Sequence, residues 1–102
     1  MKVIAVTACP SGVAHTYMAA EAIKKSCDKA GIECCVETQG SIGIQDRLTS
    51  QDIMEAKVVI LTTDMPIKGD ERFNNMPKIR MGAGAIIKSS DQIIEKIQSQ
   101  FA

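Results

Sequence analysis

Four short segments of the chain carry the pattern of buried β-strands. Lys2–Ala8 (KVIAVTA) and Lys57–Thr62 (KVVILT) are almost entirely apolar and rich in β-branched residues. Ile32–Thr38 (IECCVET) has a similar character, and Lys78–Met81 predicts a weaker strand after Pro77. Continuous apolar runs of this length are typical of strands that are covered on both faces, as in parallel sheets.

Between the strands, apolar positions recur at the spacing of an α-helix. The longest such pattern begins at Val13 and stops at Gly31, a residue that commonly ends helices. A second pattern, Ser90–Phe101, closes the chain with its isoleucines on one face. The predicted apolar face of the first helix consists of Val13, Tyr17, Ala20, Ile23, Cys27 and Ala30.

A short helix is predicted over Ser50–Ala56 from its start signals. Thr49 is a favourable N-cap, and Asp52 stands three residues later, which is the spacing of a capping box. Leu48 and Ile53 flank this cap at positions suited to a hydrophobic staple.

The order of these elements predicts a single α/β domain spanning residues 1–102, with an open, doubly wound, four-stranded parallel sheet and helices on both faces. In such sheets, ligands bind beyond the carboxyl ends of the strands. Three loops are expected there, Cys9–Thr16, Gln39–Gly43 and Thr63–Lys68, and we expect their rim to form a shared docking face for partner proteins.

Composition and charge exclude several classes of function. Lys plus Arg equals Asp plus Glu at twelve each, and aromatic residues make up only 3% of the chain. Such a chain lacks the positive charge and the stacking residues that nucleic-acid binding requires. Apolar runs such as Val58–Leu61 are far too short to span a membrane, so no direct insertion is expected.

The four cysteines indicate a reducing compartment. Cys34 and Cys35 are adjacent, no CxxC motif occurs, and a single histidine is too few for the usual zinc sites. We therefore expect unpaired thiols, no metal or cofactor, and a cytoplasmic location. Cys27, Cys34 and Cys35 are interpreted as packing residues.

The loop that starts at Cys9 has the features of an anion site. Cys9 follows the first predicted strand, and a helix begins a few residues later, so unpaired amides and the positive end of a helix dipole face the thiol. Both stabilise a bound phosphate, and both favour the thiolate form of Cys9.

The residues after Cys9 suit the same purpose. Gly12 permits close backbone approach, Pro10 stiffens the exit from the strand, and a neutral His15 can donate a hydrogen bond to the loop or to a phosphoryl oxygen. Thr16 is placed to contact the sulfur. The predicted phosphate loop comprises Pro10, Ser11, Gly12, Val13, Ala14, His15 and Thr16.

Each of these features alone also has a purely structural explanation. A cysteine at a strand end is commonly a small core residue, and one glycine is a weak phosphate signal. The combination of thiol, stiff turn, glycine, hydroxyls and histidine within one loop favours function. Arg47 and Arg72 are interpreted as surface charges, and the candidate walls of the site are Gln39, Gly40, Ser41 and Asp64.

Thr7–Ile23 (TACPSGVAHTYMAAEAI) closely resembles the signature of the fructose-type enzyme IIB of the bacterial phosphoenolpyruvate-dependent sugar phosphotransferase system. The family pattern is T-A-C-P-T-G-I-A-H-T-Y-M-A-A-E-A, from which the chain departs mildly at Ser11 and Val13. Glu37–Ile53 resembles a second family stretch, and Val58–Phe73 a looser third. The resemblance therefore covers most of the chain.

The resemblance implies a phosphoryl-carrier function. In that family, phosphohistidine on enzyme IIA donates to a cysteine, which here would be Cys9, within the loop Pro10–Thr16. The phosphocysteine then donates to a fructose-like sugar bound in the membrane permease, enzyme IIC. The implied partners are therefore a IIA protein and a IIC permease, which would bring the domain to the inner face of the membrane.

Two alternatives remain open at this stage. Low-molecular-weight tyrosine phosphatases and arsenate reductases share the pattern C-x5-R-[ST] on a similar sheet, and this chain keeps the spacing from Cys9 to Thr16. His15 replaces the arginine, however, and imidazole cannot grip two phosphate oxygens as guanidinium does. The second alternative is a regulatory module in which Cys9 senses oxidation or binds a free anion.

Overall fold

The structure is a computed structural model that describes residues 1–9, 13–40 and 43–101. The described elements are β1 (Lys2–Thr7), α1 (Val13–Ala30), β2 (Glu33–Gly40), β3 (Gly43–Gln45), α2 (Ser50–Glu55), β4 (Val58–Thr62), a 3₁₀ helix (Asp70–Phe73), β5 (Lys78–Met81) and α3 (Ala83–Phe101).

Within the described residues, five strands form one sheet in the order β3-β2-β1-β4-β5. β1 is central and pairs in parallel with β2 and β4, and β4 pairs in parallel with β5. Every residue of β1 and β4 is buried, which is the condition that their unbroken apolar sequences predict. The predicted α/β class is confirmed.

The predicted count of four strands is wrong by one. β2 continues to Gly40, and the chain returns as the short antiparallel strand β3, with Gly40 opposite Gly43. All three residues of β3 are exposed, so no apolar periodicity marks this strand in the sequence.

The two faces of the sheet carry separate parts of the core. Side chains alternate along β1, so Val3 and Ala5 pack with α1 and α3, whereas Ile4 and Val6 pack with Phe73 on the opposite face. α1 and α3 also pack against each other. Cys9 belongs to the α1/α3 side of the core, so its side chain lies on that face of the sheet.

α1 has the predicted bounds, and Gly31 follows it with a φ of +71°, the conformation that favours glycine at a helix end. Its predicted face is correct at Ala20, Ile23 and Cys27, which are buried. The prediction that Tyr17 lies on the apolar face is wrong, because this residue is 37% exposed and its hydroxyl hydrogen-bonds to Gln45 Oε1 in β3.

The predicted capping box of α2 is confirmed. Thr49 Oγ1 accepts from Asp52 N at 3.1 Å, and Asp52 Oδ2 accepts from Thr49 N at 2.9 Å. Leu48 and Ile53 belong to the same apolar cluster, as the predicted staple requires.

α3 begins at Ala83, well before the predicted start at Ser90. The predicted start coincides with a kink, since Ser89 has non-helical angles (φ −123°, ψ 19°). The earlier part was missed because Gly84 lowers helix propensity and because the cap of this helix comes from Asp64, far back in the sequence.

Candidate functional site

Cys9 lies at the carboxyl edge of the sheet, two residues beyond the central strand β1. It is only 8% exposed and packs at the edge of the core cluster shared by α1 and α3. α1 begins at Val13, so the positive end of its dipole is directed toward the edge where the thiol lies.

The side chain of His15 faces this thiol. His15 lies in the first turn of α1, and its Nδ1 is 3.5 Å from Cys9 Sγ, within hydrogen-bond distance for sulfur. The ring is half-buried, whereas the neighbouring Ala14 is exposed. A thiol and an imidazole in contact at a helix N-terminus can exchange a proton, so the pair has the basic requirement of an activated nucleophile.

Thr16 follows in the same turn and is 1% exposed. Thr7 Oγ1 donates to the backbone oxygen of Thr16 at 3.2 Å, which ties this turn of α1 to the end of β1. Thr16 Oγ1 is buried, and neither the sulfur of Cys9 nor any other described residue hydrogen-bonds to it. Because buried hydroxyls normally have a partner, this atom is a candidate donor to a bound anion.

The residue that precedes Cys9 is held in place by the neighbouring strand β4. Thr62 Oγ1, at the end of β4, accepts from Ala8 N at 2.9 Å and donates to Ala8 O at 2.9 Å. This double contact immobilises the residue before the thiol. Nothing in the sequence distinguishes Thr62 from an ordinary strand residue, so sequence reasoning missed it.

Asp64 lies on the loop after β4 and connects this edge of the sheet to α3. Its Oδ2 accepts from Ala83 N at 2.7 Å and thereby caps α3. The first turn of α3 reaches His15, because a Cβ built on Gly84 would lie 4.0 Å from His15 Cε1. The structure therefore brings together Cys9, His15 and the N-terminus of α3.

Gln39 was predicted on a loop but lies in β2, and its side chain ties this strand to the loop after β4. Its Nε2 donates to Lys68 O at 2.9 Å and to Glu37 Oε2 at 2.8 Å, and its Oε1 accepts from Lys68 N at 2.9 Å. Both amide hydrogens and the amide oxygen of this side chain are thus occupied within the protein. Gly40 is exposed at the end of β2.

The remaining predicted loop residues, Pro10, Ser11, Gly12 and Ser41, lie outside the described residues, as does the side chain of Val13.

Sequence reasoning missed the buried ion pair of Glu37 and Arg72, and the interpretation of Arg72 as a surface charge is wrong. Arg72 Nη1 and Nη2 donate to the two oxygens of Glu37 at 3.0 and 3.1 Å. Burial acts to raise the pKa of Glu37, but hydrogen bonds from Arg72, Gln39 and Leu48 N outweigh it and leave the pKa below its usual value. The only sequence signal was a glutamate within a mainly apolar strand. Arg47 is exposed, as predicted.

The other cysteines pack as predicted. All four cysteines lie within the described residues, and no disulfide joins them. The contact with Cys27 and burial raise the pKa of the Cys34 thiol, and burial together with the nearby Asp52 carboxylate raises that of Cys35. Cys34 and Cys35 therefore remain protonated near neutral pH, in contrast to the setting expected of a nucleophile.

Within residues 1–9, 13–40 and 43–101, no helix is both long and apolar enough to cross a membrane. No group of three or more His, Cys, Asp or Glu side chains there is arranged to hold a metal ion.

This fold, with a cysteine beyond the central strand and close to the start of a helix, defines a small α/β domain, and comparison with known proteins identifies its family. Residues 4–96 match the sequence profile of the family described as "PTS system, Lactose/Cellobiose specific IIB subunit". The chain therefore belongs to the IIB components of the phosphotransferase system (PTS), which are phosphotransferases, as its first motif predicted.

Its relatives include fructose-like members of this family. The chain is 50% identical over 101 residues to "PTS system fructose-like EIIB component 2" of Escherichia coli (strain K12), covering 99% of this chain and 95% of that protein. It is 42% identical to "PTS system fructose-specific EIIABC component" of Bacillus subtilis (strain 168), covering 99% of this chain and 16% of the larger protein.

Solved structures of similar proteins share the fold. The solution structure of an enzyme IIB subunit from Escherichia coli K12 has a TM-score of 0.90 and 42% identity, covering 96% of this chain and 91% of that one. A domain of a fructose-specific IIABC component from Borrelia burgdorferi has a TM-score of 0.87 and 44% identity, covering 93% and 90% of the two chains.

Proposed function

We propose that Cys9 accepts a phosphoryl group from phosphohistidine on an enzyme IIA and passes it to a fructose-like sugar held in an enzyme IIC permease. The observation that carries this proposal is the contact between Cys9 Sγ and His15 Nδ1, 3.5 Å apart at the N-terminus of α1. The names of the relatives support fructose as the class of sugar. A fused relative that carries A, B and C components supports IIA and IIC as the partners.

The first transfer exchanges an N–P bond for an S–P bond. Cys9 Sγ attacks the phosphorus of the donor phosphohistidine, and the thiol proton passes to Nδ1 of His15 as the sulfur becomes nucleophilic. The donor imidazole leaves and takes up that proton from His15, so the net products are phosphocysteine on this chain and neutral histidine on the IIA protein. In the second transfer, the S–P bond breaks as a sugar hydroxyl forms the O–P bond, and the hydroxyl proton returns to the sulfur.

The protein contributes positioning and charge stabilisation to these steps. Phosphoryl transfer spreads negative charge over the peripheral oxygens, and positioned N–H groups and helix dipoles stabilise that charge. We assign this role to the backbone N–H groups of residues 11–16 and to the buried hydroxyl of Thr16. Pro10 has no N–H and contributes none. Gln39, Gly40, Ser41 and Asp64 remain predicted neighbours of the site.

The same assignment predicts where the protein works. Residues 1–102 act as a single carrier domain in the cytoplasm and reach the membrane through the IIC partner. The carrier must protect its phosphocysteine until the acceptor arrives, whereas a phosphatase must hydrolyse it. His15 in place of an arginine favours protection, because imidazole cannot clamp two oxygens of an intermediate as guanidinium can.

The test is to incubate the protein with a phosphohistidine-bearing fructose-type IIA protein and then measure its intact mass and its peptide map. We expect one phosphoryl adduct on Cys9 that is stable to acid and labile to iodine, absent from Cys9→Ser and retained in the control Cys34→Ser. Turnover of p-nitrophenyl phosphate would instead identify a phosphatase. Modification of Cys9 by peroxide alone, with no adduct from the IIA protein, would identify a redox module.

A further inference from the structure

We propose that Asp64 is a positioning residue for phosphoryl transfer, because it fixes the first turn of α3, which lies beside the ring of His15. This inference rests on the proposed function of Cys9. Asp64 does not contact the phosphoryl group in this proposal. Its carboxylate fixes α3, α3 keeps the ring of His15 in place, and His15 faces the thiol of Cys9.

The first link is the cap of α3. The residue that precedes this helix is Gly82, which has no side chain and cannot cap its own helix. Asp64 Oδ2 supplies the missing acceptor from a different loop, 2.7 Å from Ala83 N. Gly82 lies beside this carboxylate, since a Cβ at its position would be in van der Waals contact with Asp64 Oδ1 at 3.5 Å. A carboxylate at this position also complements the positive end of the helix dipole.

The second link is the closeness of α3 to His15. An added Cβ on Gly84 would lie at van der Waals distance, 4.0 Å, from His15 Cε1. Cε1 and Nδ1 are adjacent atoms of the imidazole ring, and Nδ1 is the atom that faces Cys9 Sγ. The first turn of α3 and the thiol of Cys9 therefore lie near the same edge of the ring.

The third link is the consequence of losing the cap. Without an acceptor for Ala83 N, the first turn of α3 frays, and the wall beside the ring becomes mobile. His15 then loses the fixed orientation that directs Nδ1 at the sulfur. Catalysis depends steeply on such placement, so a small loosening lowers the rate of transfer, while docking of the IIA protein on the surface is unchanged.

The variants Asp64→Ala and Asp64→Asn separate capping from charge, because asparagine retains an acceptor at the same reach without the charge. With phosphorylated IIA as donor, we expect Asp64→Ala to lower the maximal rate of Cys9 phosphorylation about tenfold or more with an unchanged KM. We expect Asp64→Asn to retain most of the wild-type rate.

The matched control is Thr49→Ala, which removes the N-cap of α2 away from Cys9. It should lower thermal stability about as much as Asp64→Ala does but leave the transfer rate unchanged. In NMR spectra, Asp64→Ala should shift and broaden the signals of the His15 ring, whereas Thr49→Ala should not.

An Asp64→Ala variant with a full transfer rate and unchanged His15 signals would overturn the inference, as would an equal loss of rate in Thr49→Ala. Failure of the wild-type protein to accept a phosphoryl group would refute the proposed function instead. In that case the His15 signals still decide whether Asp64 positions the ring.

Discussion

The guanidinium of Arg72 holds the carboxylate of Glu37 through two hydrogen bonds, at 3.0 and 3.1 Å, although that carboxylate has no exposed surface. The same guanidinium donates to Gly69 O at 2.6 Å and to Lys68 O at 3.2 Å. The pair thus fastens the chain before the 3₁₀ helix to β2, on the core face opposite to α1. Only arginine has the planar, forked donor geometry that fits both carboxylate oxygens.

Removing Arg72 is therefore expected to destabilise the fold. Arg72→Leu leaves a buried carboxylate without its partner, and such losses cost about 3 kcal/mol or more in the free energy of unfolding. The control Arg47→Leu, at an exposed position, should cost less than about 0.5 kcal/mol. Urea unfolding of both variants measures the difference, and equal stabilities would contradict the structural role of the pair.

Stability should decrease in acid because of the ion pair between Lys2 and Asp52. Lys2 Nζ lies 2.7 Å from Asp52 Oδ1, and this contact, with the hydrogen bonds from Thr49, lowers the pKa of Asp52 to about 2. Since the folded-state pKa lies below the unfolded value of roughly 3.9, the stabilisation is fully present above that value and is lost as the pH falls toward about 2.

Asp52→Asn tests this pH dependence, because asparagine keeps the cap acceptor and removes the charge. The measurement is the free energy of unfolding in urea at a series of acid pH values. Below about pH 4, its dependence on pH should show that Asp52→Asn takes up as much as one proton fewer on unfolding than the wild type does. The control Glu95→Gln neutralises an exposed residue of α3 and should leave the slope intact. An unchanged slope in Asp52→Asn would show that the pair contributes nothing.

The hydroxyls of Thr16 and Thr62 should respond in opposite ways to replacement by valine. Thr16 Oγ1 is buried without a partner among the described residues, so Thr16→Val should leave the stability unchanged or raise it. Thr62 Oγ1 makes two hydrogen bonds to Ala8, so Thr62→Val should cost about 1–3 kcal/mol.

The rate of phosphoryl transfer gives a second test of the role of Thr16, beside the stability measurement. If its hydroxyl binds a charged phosphoryl oxygen, Thr16→Val should slow Cys9 phosphorylation about tenfold or more, since a hydrogen bond to a charged group contributes about 1.5–3 kcal/mol. The measurement is the transfer rate from phosphorylated IIA. A full rate in Thr16→Val would exclude the hydroxyl from the site.

The docking face should surround Cys9. Tyr17, Ile44 and Met65 are exposed large side chains on the elements nearest the carboxyl edge of the sheet. Titration with a IIA protein should shift their amide NMR signals and leave those of Glu33 and Lys57, at the opposite edge, in place. Shifts confined to Glu33 and Lys57 would refute a docking face at the Cys9 edge.

Local sequence signals predicted much of the fold. β1 and β4 are apolar on both faces and required no further information, and every signal for the start of α2 lies between Leu48 and Ile53. Cys9 and His15 were predicted to share a site because they lie six residues apart across a strand end and a helix start. In each case the interacting residues are close in the sequence.

The missed features depend on residues that are distant in the sequence. Arg72 pairs with Glu37 across 35 positions, and Asp64 caps α3 across 19. Thr62 fixes Ala8 across 54 positions. Side chains of these types are common on protein surfaces, so their sequence gives no sign of the partner until the sheet brings the two together.

The central claim is that the sulfur of Cys9 carries a phosphoryl group reversibly, and a chase experiment tests it most directly. The protein is phosphorylated with a ³²P-labelled IIA, purified, and mixed with excess unlabelled, unphosphorylated IIA. We predict that the label leaves Cys9 and reappears on the histidine of the IIA protein. Release of the label as inorganic phosphate, or its recovery on a residue other than Cys9, would contradict a carrier function.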